Sequence, residues 1–323
     1  MRKYVCAMGA MLLAAPAAMA DDSSAALGVG GIVFVKSTPV RMKTEDLYVS
    51  PKAVRIRFEF SNDTDKDVET IVAFPLPDID TSEFTESPLG TITDDPVNFI
   101  GFKAVVDGKP VTFKIETHAF YKGKDVTAAI LAAGAPLNPV AHNSYENLSA
   151  LKGAKRQALL KADLVDDEGD NNLHPHWLVR TNFYWTQRFP AHKTVVIQHS
   201  YQPVTGQSFF STTDMAKADK YQGVDYCFDA GTWAAFRAKS AAKKANPDTN
   251  GYFNVFSTDY ILKTANNWNG PIGRFHLTLD KLNPGAALSL CWDGDLKKTG
   301  PTTFETTLSN FAPTRDIRML VTE

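Results

Sequence analysis

The chain has 323 residues, 44% of them hydrophobic and 22% charged, with 34 Lys+Arg against 36 Asp+Glu and a formal net charge of −2. That composition excludes disordered, collagen-like and coiled-coil classes. The near-neutral balance argues against a nucleic-acid binder, which carries a basic excess.

The first twenty residues have the three parts of a secretory signal peptide. Met1-Arg2-Lys3 is positive, Tyr4 to Ala17 is apolar, and Ala18-Met19-Ala20 places small residues where a signal peptidase reads them. The apolar run falls short of the about 20 residues that a membrane span requires. Cleavage after Ala20 leaves 303 residues that open on the polar run Asp21-Asp22-Ser23-Ser24, with 32 Lys+Arg against 36 Asp+Glu, a formal charge of −4 and no second hydrophobic segment of spanning length. A periplasmic or secreted location follows. Two cysteines remain, Cys227 and Cys291. In an oxidising compartment they make one disulfide most simply, with two buried free thiols as the other reading. Closing a loop of that length is worth about 4 kcal/mol in the chain-entropy model.

Gly28, Gly30 and Gly31 precede a strand at Ile32 to Val35, in a turn rather than a phosphate cradle, because no helix follows. Val54, Ile56, Phe58 and Phe60 alternate with Arg55, Arg57 and Glu59, the period of a strand with one wet face. Asn62 to Asp65 turns the chain into a return strand, Val68 to Phe74, which Pro75 and Pro77 end. Phe102 to Val106, Asp107-Gly108 and Val111-Phe113-Ile115 read as a hairpin.

The period then changes. Asp125 can cap a helix from Val126 to Ala133, closed by Gly134 and Pro136. Asn143 and Glu146 have capping-box spacing before a helix carrying Leu148, Leu151, Ala158, Leu159 and Ala162. Strands resume at Trp177 to Phe189 and Thr194 to Tyr201, and a further helix runs from Thr232 to Ala245, stopped by Asn246-Pro247. The end is β again: Phe275 to Leu279, Leu288 to Trp292, Phe304 to Leu308 and Ile317 to Val321. Strands in runs and helices in clusters, without a βαβ rhythm, predict a mainly β, α+β chain: a β-sandwich core with helical insertions. The expected division is signal peptide 1–20, an N-terminal β-sandwich part 21–122, a helical insertion 123–175 and a C-terminal β-rich part 176–323 holding one helix and the disulfide.

Four patches resemble a family of exported bacterial proteins known as domain-of-unknown-function family 4424. They are Phe60-Ser61-Asn62-Asp63-Thr64 with Val68-Glu69 and Phe74-Pro75-Leu76-Pro77-Asp78-Ile79; Trp185-Thr186-Gln187 with Phe189-Pro190-Ala191 and His199-Ser200-Tyr201-Gln202-Pro203; Asn267 to Ile272; and Pro313-Thr314-Arg315-Asp316-Ile317. The resemblance implies an exported protein of similar size and carries over no catalytic residue. The first patch is also similar to β-sandwich domains of the vault inter-alpha-trypsin type, over the first hundred residues.

The string from Asp166 to His176 gathers acids and two imidazoles, so Asp170, His174 and His176 are the metal candidates. It lacks the alternation of a calcium loop and the fixed third ligand of a zinc site. A solvated acidic turn is the preferred reading there. Gly-x-Ser-x-Gly and His-Glu-x-x-His are both missing. Trp177, Phe183, Tyr184 and Trp185 could stack sugars, with Phe183 and Trp185 on one face and Tyr184 on the other. Basic faces at Lys152 to Lys161 and Arg237 to Lys244 read as solvated helix surface. The leading expectation is a non-enzymatic module that binds a protein partner or envelope component and uses no cofactor. The alternatives are an envelope hydrolase with a metal or carboxylate site at Asp166 to His176, and a carbohydrate-binding sandwich using Trp177 or Trp185.

Overall fold

The structure, a computed structural model, describes residues 22–28, 31–36, 39–83, 89–90, 93, 95–141, 144–170, 172–210, 226–244 and 252–322. The predicted signal peptide, the capping residue Asn143 and the helix stop Asn246-Pro247 lie outside them.

The chain begins with β1 (Ser23–Gly28), β2 (Gly31–Phe34), β3 (Val40–Ser50), β4 (Ala53–Asn62), β5 (Val68–Pro75), β6 (Ile79–Asp80) and β7 (Leu89–Gly90). It continues through β8 (Lys103–Val106), β9 (Lys109–Pro110), β10 (Lys114–Tyr121) and β11 (Lys124–Asp125). Helices α1 (Thr127–Ala132), α2 (Ser144–Ser149) and α3 (Gly153–Lys161) follow. Next come β12 (Val165–Gly169), β13 (Asn172–Pro175), β14 (Leu178–Phe189), β15 (Lys193–Tyr201) and β16 (Thr205–Phe210). Helix α4 (Ala230–Lys244) precedes β17 (Phe253–Tyr260), β18 (Ile272–Asp280), β19 (Leu288–Leu290), β20 (Lys297–Lys298), β21 (Thr303–Phe311) and β22 (Ile317–Thr322).

These strands form three large sheets. The first has the order β11-β10-β14-β5-β1-β2, with β6 also on β14. The second is β20-β21-β18-β3-β4-β15-β8-β9, and the third is β19-β22-β17-β16-β7. The fold is mainly β with few helices, as the strand runs predicted. Strands from 21–122 and 176–323 interleave: β14 lies between β5 and β10, β15 pairs β4, and β18 lies parallel to β3.

The alternation in β4 reads out directly. Val54, Ile56, Phe58 and Phe60 are all within 2% exposure and enter one continuous core. Phe60 meets Trp268 with ring centroids 4.6 Å apart, and Phe102 stacks on Phe183 at 4.3 Å. Each such ring contributes about 1.5–3 kcal/mol by leaving water. A second cluster of Tyr226, Phe236, Phe253, Val255 and Leu320 seats α4 on the third sheet.

Three predicted elements are rearranged. Asp107 and Gly108 do take positive φ (48° and 78°), as a tight hairpin turn demands. The return arm is only β9, however, and Ile115 instead belongs to β10, which pairs β14 in the first sheet. The long helix predicted from Asn143 is two short ones, because Gly153 breaks it at φ +59°. Finally, Asp22, Ser23 and Ser24, read as a polar start, are buried to within 2%. Insertion of β1 between β5 and β2 makes them interior.

Candidate functional site

The second sheet turns its inner face to the core and its outer face to water. Out-facing residues of five neighbouring strands fall into register. One row reads His276, Asp46, Arg57, Gln198 and Val105 across β18, β3, β4, β15 and β8. The adjacent row reads Thr278, Tyr48, Arg55, Ser200 and Lys103. Above these rows lies an open groove of about 430 Å³, within the range of ligand sites.

Its charges divide into held and free. Arg57 Nη1 lies 2.7 Å from Glu59 Oε1. Asp46 Oδ1 lies 3.1 Å from Arg274 and 3.4 Å from His276 Nδ1, whose Nε2 is 3.6 Å from Glu305. The Arg55 guanidinium sits 3.7 Å from the centroid of the Tyr48 ring, a cation–π contact. The Tyr48 hydroxyl donates to Asp280 Oδ2 at 2.8 Å. Partial burial and then this bond hold the Tyr48 phenol above its ordinary value. Lys103 is exposed and makes no ion pair among the described residues. Arg55, Arg57 and Lys103 thus face one lining carboxylate, Asp46, which Arg274 and His276 already engage. The face can take an anionic group through Arg55 and Lys103, with Ser200 between them and Gln198 as a neutral donor in the adjacent row.

In the sequence Arg55 and Arg57 are recognisable only as water-facing, and Tyr48, Lys103 and Gln198 carry no signal of a role. Each is an ordinary out-facing strand residue. Only the pairing of strands far apart in the chain brings them together.

The predicted site residues are placed as follows. His174 and His176 lie on one side of β13 and its continuation, with rings 5.8 Å apart. Each faces its own acid: His176 Nε2 is 3.0 Å from Asp166 Oδ2, and His174 Nδ1 is 3.6 Å from Glu168 Oε1. Asp170 is the exposed turn residue between β12 and β13, at φ +48°. Among the described residues no group of three or more His, Cys, Asp or Glu is arranged to hold a metal. Cys227 and Cys291 are bonded to each other, and the Ser289 hydroxyl next to this link donates to Tyr226 O at 2.9 Å.

The aromatic cluster requires a correction. Trp177 is 0% exposed and Trp185 5%, so neither ring offers a stacking platform for sugar. The Trp177 indole N–H donates to Leu137 O at 2.7 Å inside the molecule. Alternation is as predicted: Phe183 and Trp185 point inward, and Tyr184 is half-buried on the other face.

A second polar group lies in the interior. Asp22, Glu45 and His199 occupy in-facing positions and are fully or almost fully buried. His199 is surrounded by Phe58, Phe74, Phe102 and Trp185 at centroid distances of 5.0–5.6 Å. Burial pushes its pKa down to about 3. Burial likewise raises the Asp22 carboxyl well above the usual range and Glu45 to about 8. Tyr260 donates to Glu45 Oε1 at 3.3 Å.

A family model described as Domain of unknown function (DUF4424) matches residues 20–320. The chain belongs to the DUF4424 family. This agrees with the resemblance carried by the four patches, which are spread over the same span. No functionally curated protein matches this DUF4424 chain in sequence. Among solved structures it is similar to a Legionella pneumophila protein described as a candidate nutrient-binding protein. The two share 15% identity with a TM-score of 0.43, over 89% of this chain and 68% of that one. Among the described residues no helix is long and apolar enough to cross a membrane.

Proposed function

We propose that this DUF4424 chain is an exported, non-enzymatic binding module of the cell envelope, and that the outer face of its second sheet takes an anionic group of an envelope component or protein partner. The observation that carries this reading is the groove over the Tyr48–Arg55–Ser200–Lys103 row. It combines an ammonium with no ion pair among the described residues, a guanidinium stacked on a tyrosine and a neutral amide on a rigid five-strand platform. Rigid strands hold such groups more closely than loops do. The Cys227–Cys291 bond and the tripartite N-terminus support an oxidising, exported location.

Calorimetric titration of the mature protein with N-acetylmuramic acid, citrate and inorganic phosphate tests the anion site. At least one of the three is expected to bind, with a loss of about tenfold or more when both Arg55 and Lys103 become Ala. Binding by none of them, or equal binding by the double variant, contradicts the reading.

A further inference from the structure

The Cys227–Cys291 bond lies where a dissolved thiol can reach it. Cys291 is half-buried and lines an open cavity of about 400 Å³ with Lys263, Arg315, Asp316 and Arg318. Three cations of that lining face one carboxylate, and the carboxylate is already engaged. Asp316 Oδ1 accepts the Leu262 and Lys263 N–H groups at 2.9 and 3.0 Å, and its Oδ2 lies 3.2 Å from Lys263 Nζ. Arg315 and Arg318 reach acids outside the lining, Asp293 at 3.0 Å and Asp259 at 3.4 Å. The cavity is therefore electropositive, the setting that stabilises a thiolate.

The other half of the bond is accessible too. Cys227 is exposed and takes φ +51°, a conformation that residues other than glycine rarely adopt. Exposed or strained disulfides are the ones that exchange. The segment it anchors also has packing of its own. The Phe228 ring lies 5.3 Å from Trp233 and 5.0 Å from Phe236, and Phe236 meets Phe253 of the third sheet at 5.8 Å. These contacts keep α4 seated when the bond opens, so exchange needs no unfolding.

We infer that this cavity is a thiol–disulfide exchange site, and that its substrate is a small anionic thiol whose carboxylates Arg315 and Arg318 attract. The cavity volume is that of a site for a small molecule. The thiolate enters from the cavity and bonds to Cys291 Sγ. The Cys227–Cys291 bond breaks, and its electron pair leaves on Cys227, which takes up a proton. A second thiolate attacks the mixed disulfide and releases Cys291. Two substrate thiols are thereby oxidised to a disulfide, and the protein's two sulfurs are reduced to thiols. The site is separate from the groove on the second sheet and does not rest on the anion reading there.

The test incubates the folded mature protein, without denaturant, with excess reduced glutathione or with uncharged β-mercaptoethanol. Intact mass and thiol labelling follow the bond. Both reagents are expected to open it while the circular dichroism spectrum stays folded. Peptide mapping after an early alkylation quench is expected to place glutathione on Cys291 and the alkyl label on Cys227. In Arg315→Ala the glutathione rate should fall about fivefold or more, while the β-mercaptoethanol rate stays within about twofold. Each thiol is compared across the two proteins, so its own acidity cancels. A bond that resists both thiols until urea unfolds the chain overturns the exchange site. Glutathione on Cys227 alone overturns the direction of attack. An equal fall for both thiols, or no fall for either, overturns the anionic substrate.

Discussion

The Asp22 carboxylate and the His199 imidazole lie 3.7 Å apart, and both side chains are sealed from water. Each comes from a different layer: Asp22 leads into β1 of the first sheet, and His199 belongs to β15 of the second. They mark where the two sheets meet. The nearby titratable groups are Glu45, Asp46 and Tyr260.

His199 makes stability depend on acid in a defined direction. Its pKa is about 3 in the fold and about 6.5 when unfolded. Between those values the unfolded chain binds the extra proton. The neutral imidazole's contribution is therefore complete above pH 6.5 and is lost as pH falls towards 3. Asp22 and Glu45, whose carboxyls burial pushes up, act in the opposite sense as pH rises from their unfolded values, Glu45 towards about 8. His199→Phe removes the imidazole alone. Urea denaturation should show this variant gaining on the wild type steadily from pH 6.5 to pH 4. Parallel pH curves would refute the assignment.

Gly273 is a packing requirement of the β3 bulge. A Cβ there would lie 2.6 Å from the carbonyl oxygen of Lys43, a backbone atom that cannot swing away. Gly273→Ala should destabilise by about 1–3 kcal/mol through overpacking. Chemical denaturation reads this, and an unchanged midpoint contradicts it.

The disulfide joins the segment that leads into α4 to Cys291, just after β19 and 64 residues further on. Replacing both cysteines by Ser is expected to cost up to about 4 kcal/mol, the loop-closure term for that separation. Hydrogen exchange should rise first in α4 and the third sheet and not in β4 or β14, whose contacts lie in the main core. Uniform loss of protection across all sheets would show that the link supports the whole molecule.

Lys103 separates binding from stability. Its exposed side chain has no ion pair among the described residues, so Lys103→Ala should change stability by no more than about 0.5 kcal/mol. Anion binding should weaken in the same variant and fade further with added salt. A variant that unfolds earlier while binding normally would reverse the assignment.

Local patterns were legible in the sequence and long-range ones were not. The alternation of β4 is clear because its wet and dry residues differ in chemistry throughout. β3, eleven residues long, escapes notice because its bulge shifts the phase and places Glu45 in an apolar slot. The start of α1 is partly readable: Val126 and not Asp125 is the N-cap, but Asp125 Oδ1 accepts the Thr127 N–H at 2.9 Å. The groove is not readable, since Tyr48 and its partner Asp280 are 232 residues apart. Asp22 misleads for a related reason. Its polarity suggests a surface, and its burial depends on Trp268 from the far end of the chain.

Photocrosslinking in intact exporting cells tests the binding face most directly. A benzophenone amino acid replaces Gln198 in the groove or, as a control, the exposed Leu131 on α1. A discrete adduct is expected from position 198, none from position 131, and the adduct is lost when Arg55 and Lys103 are both Ala. Equal adducts from the two positions, or an adduct indifferent to Arg55 and Lys103, would contradict it.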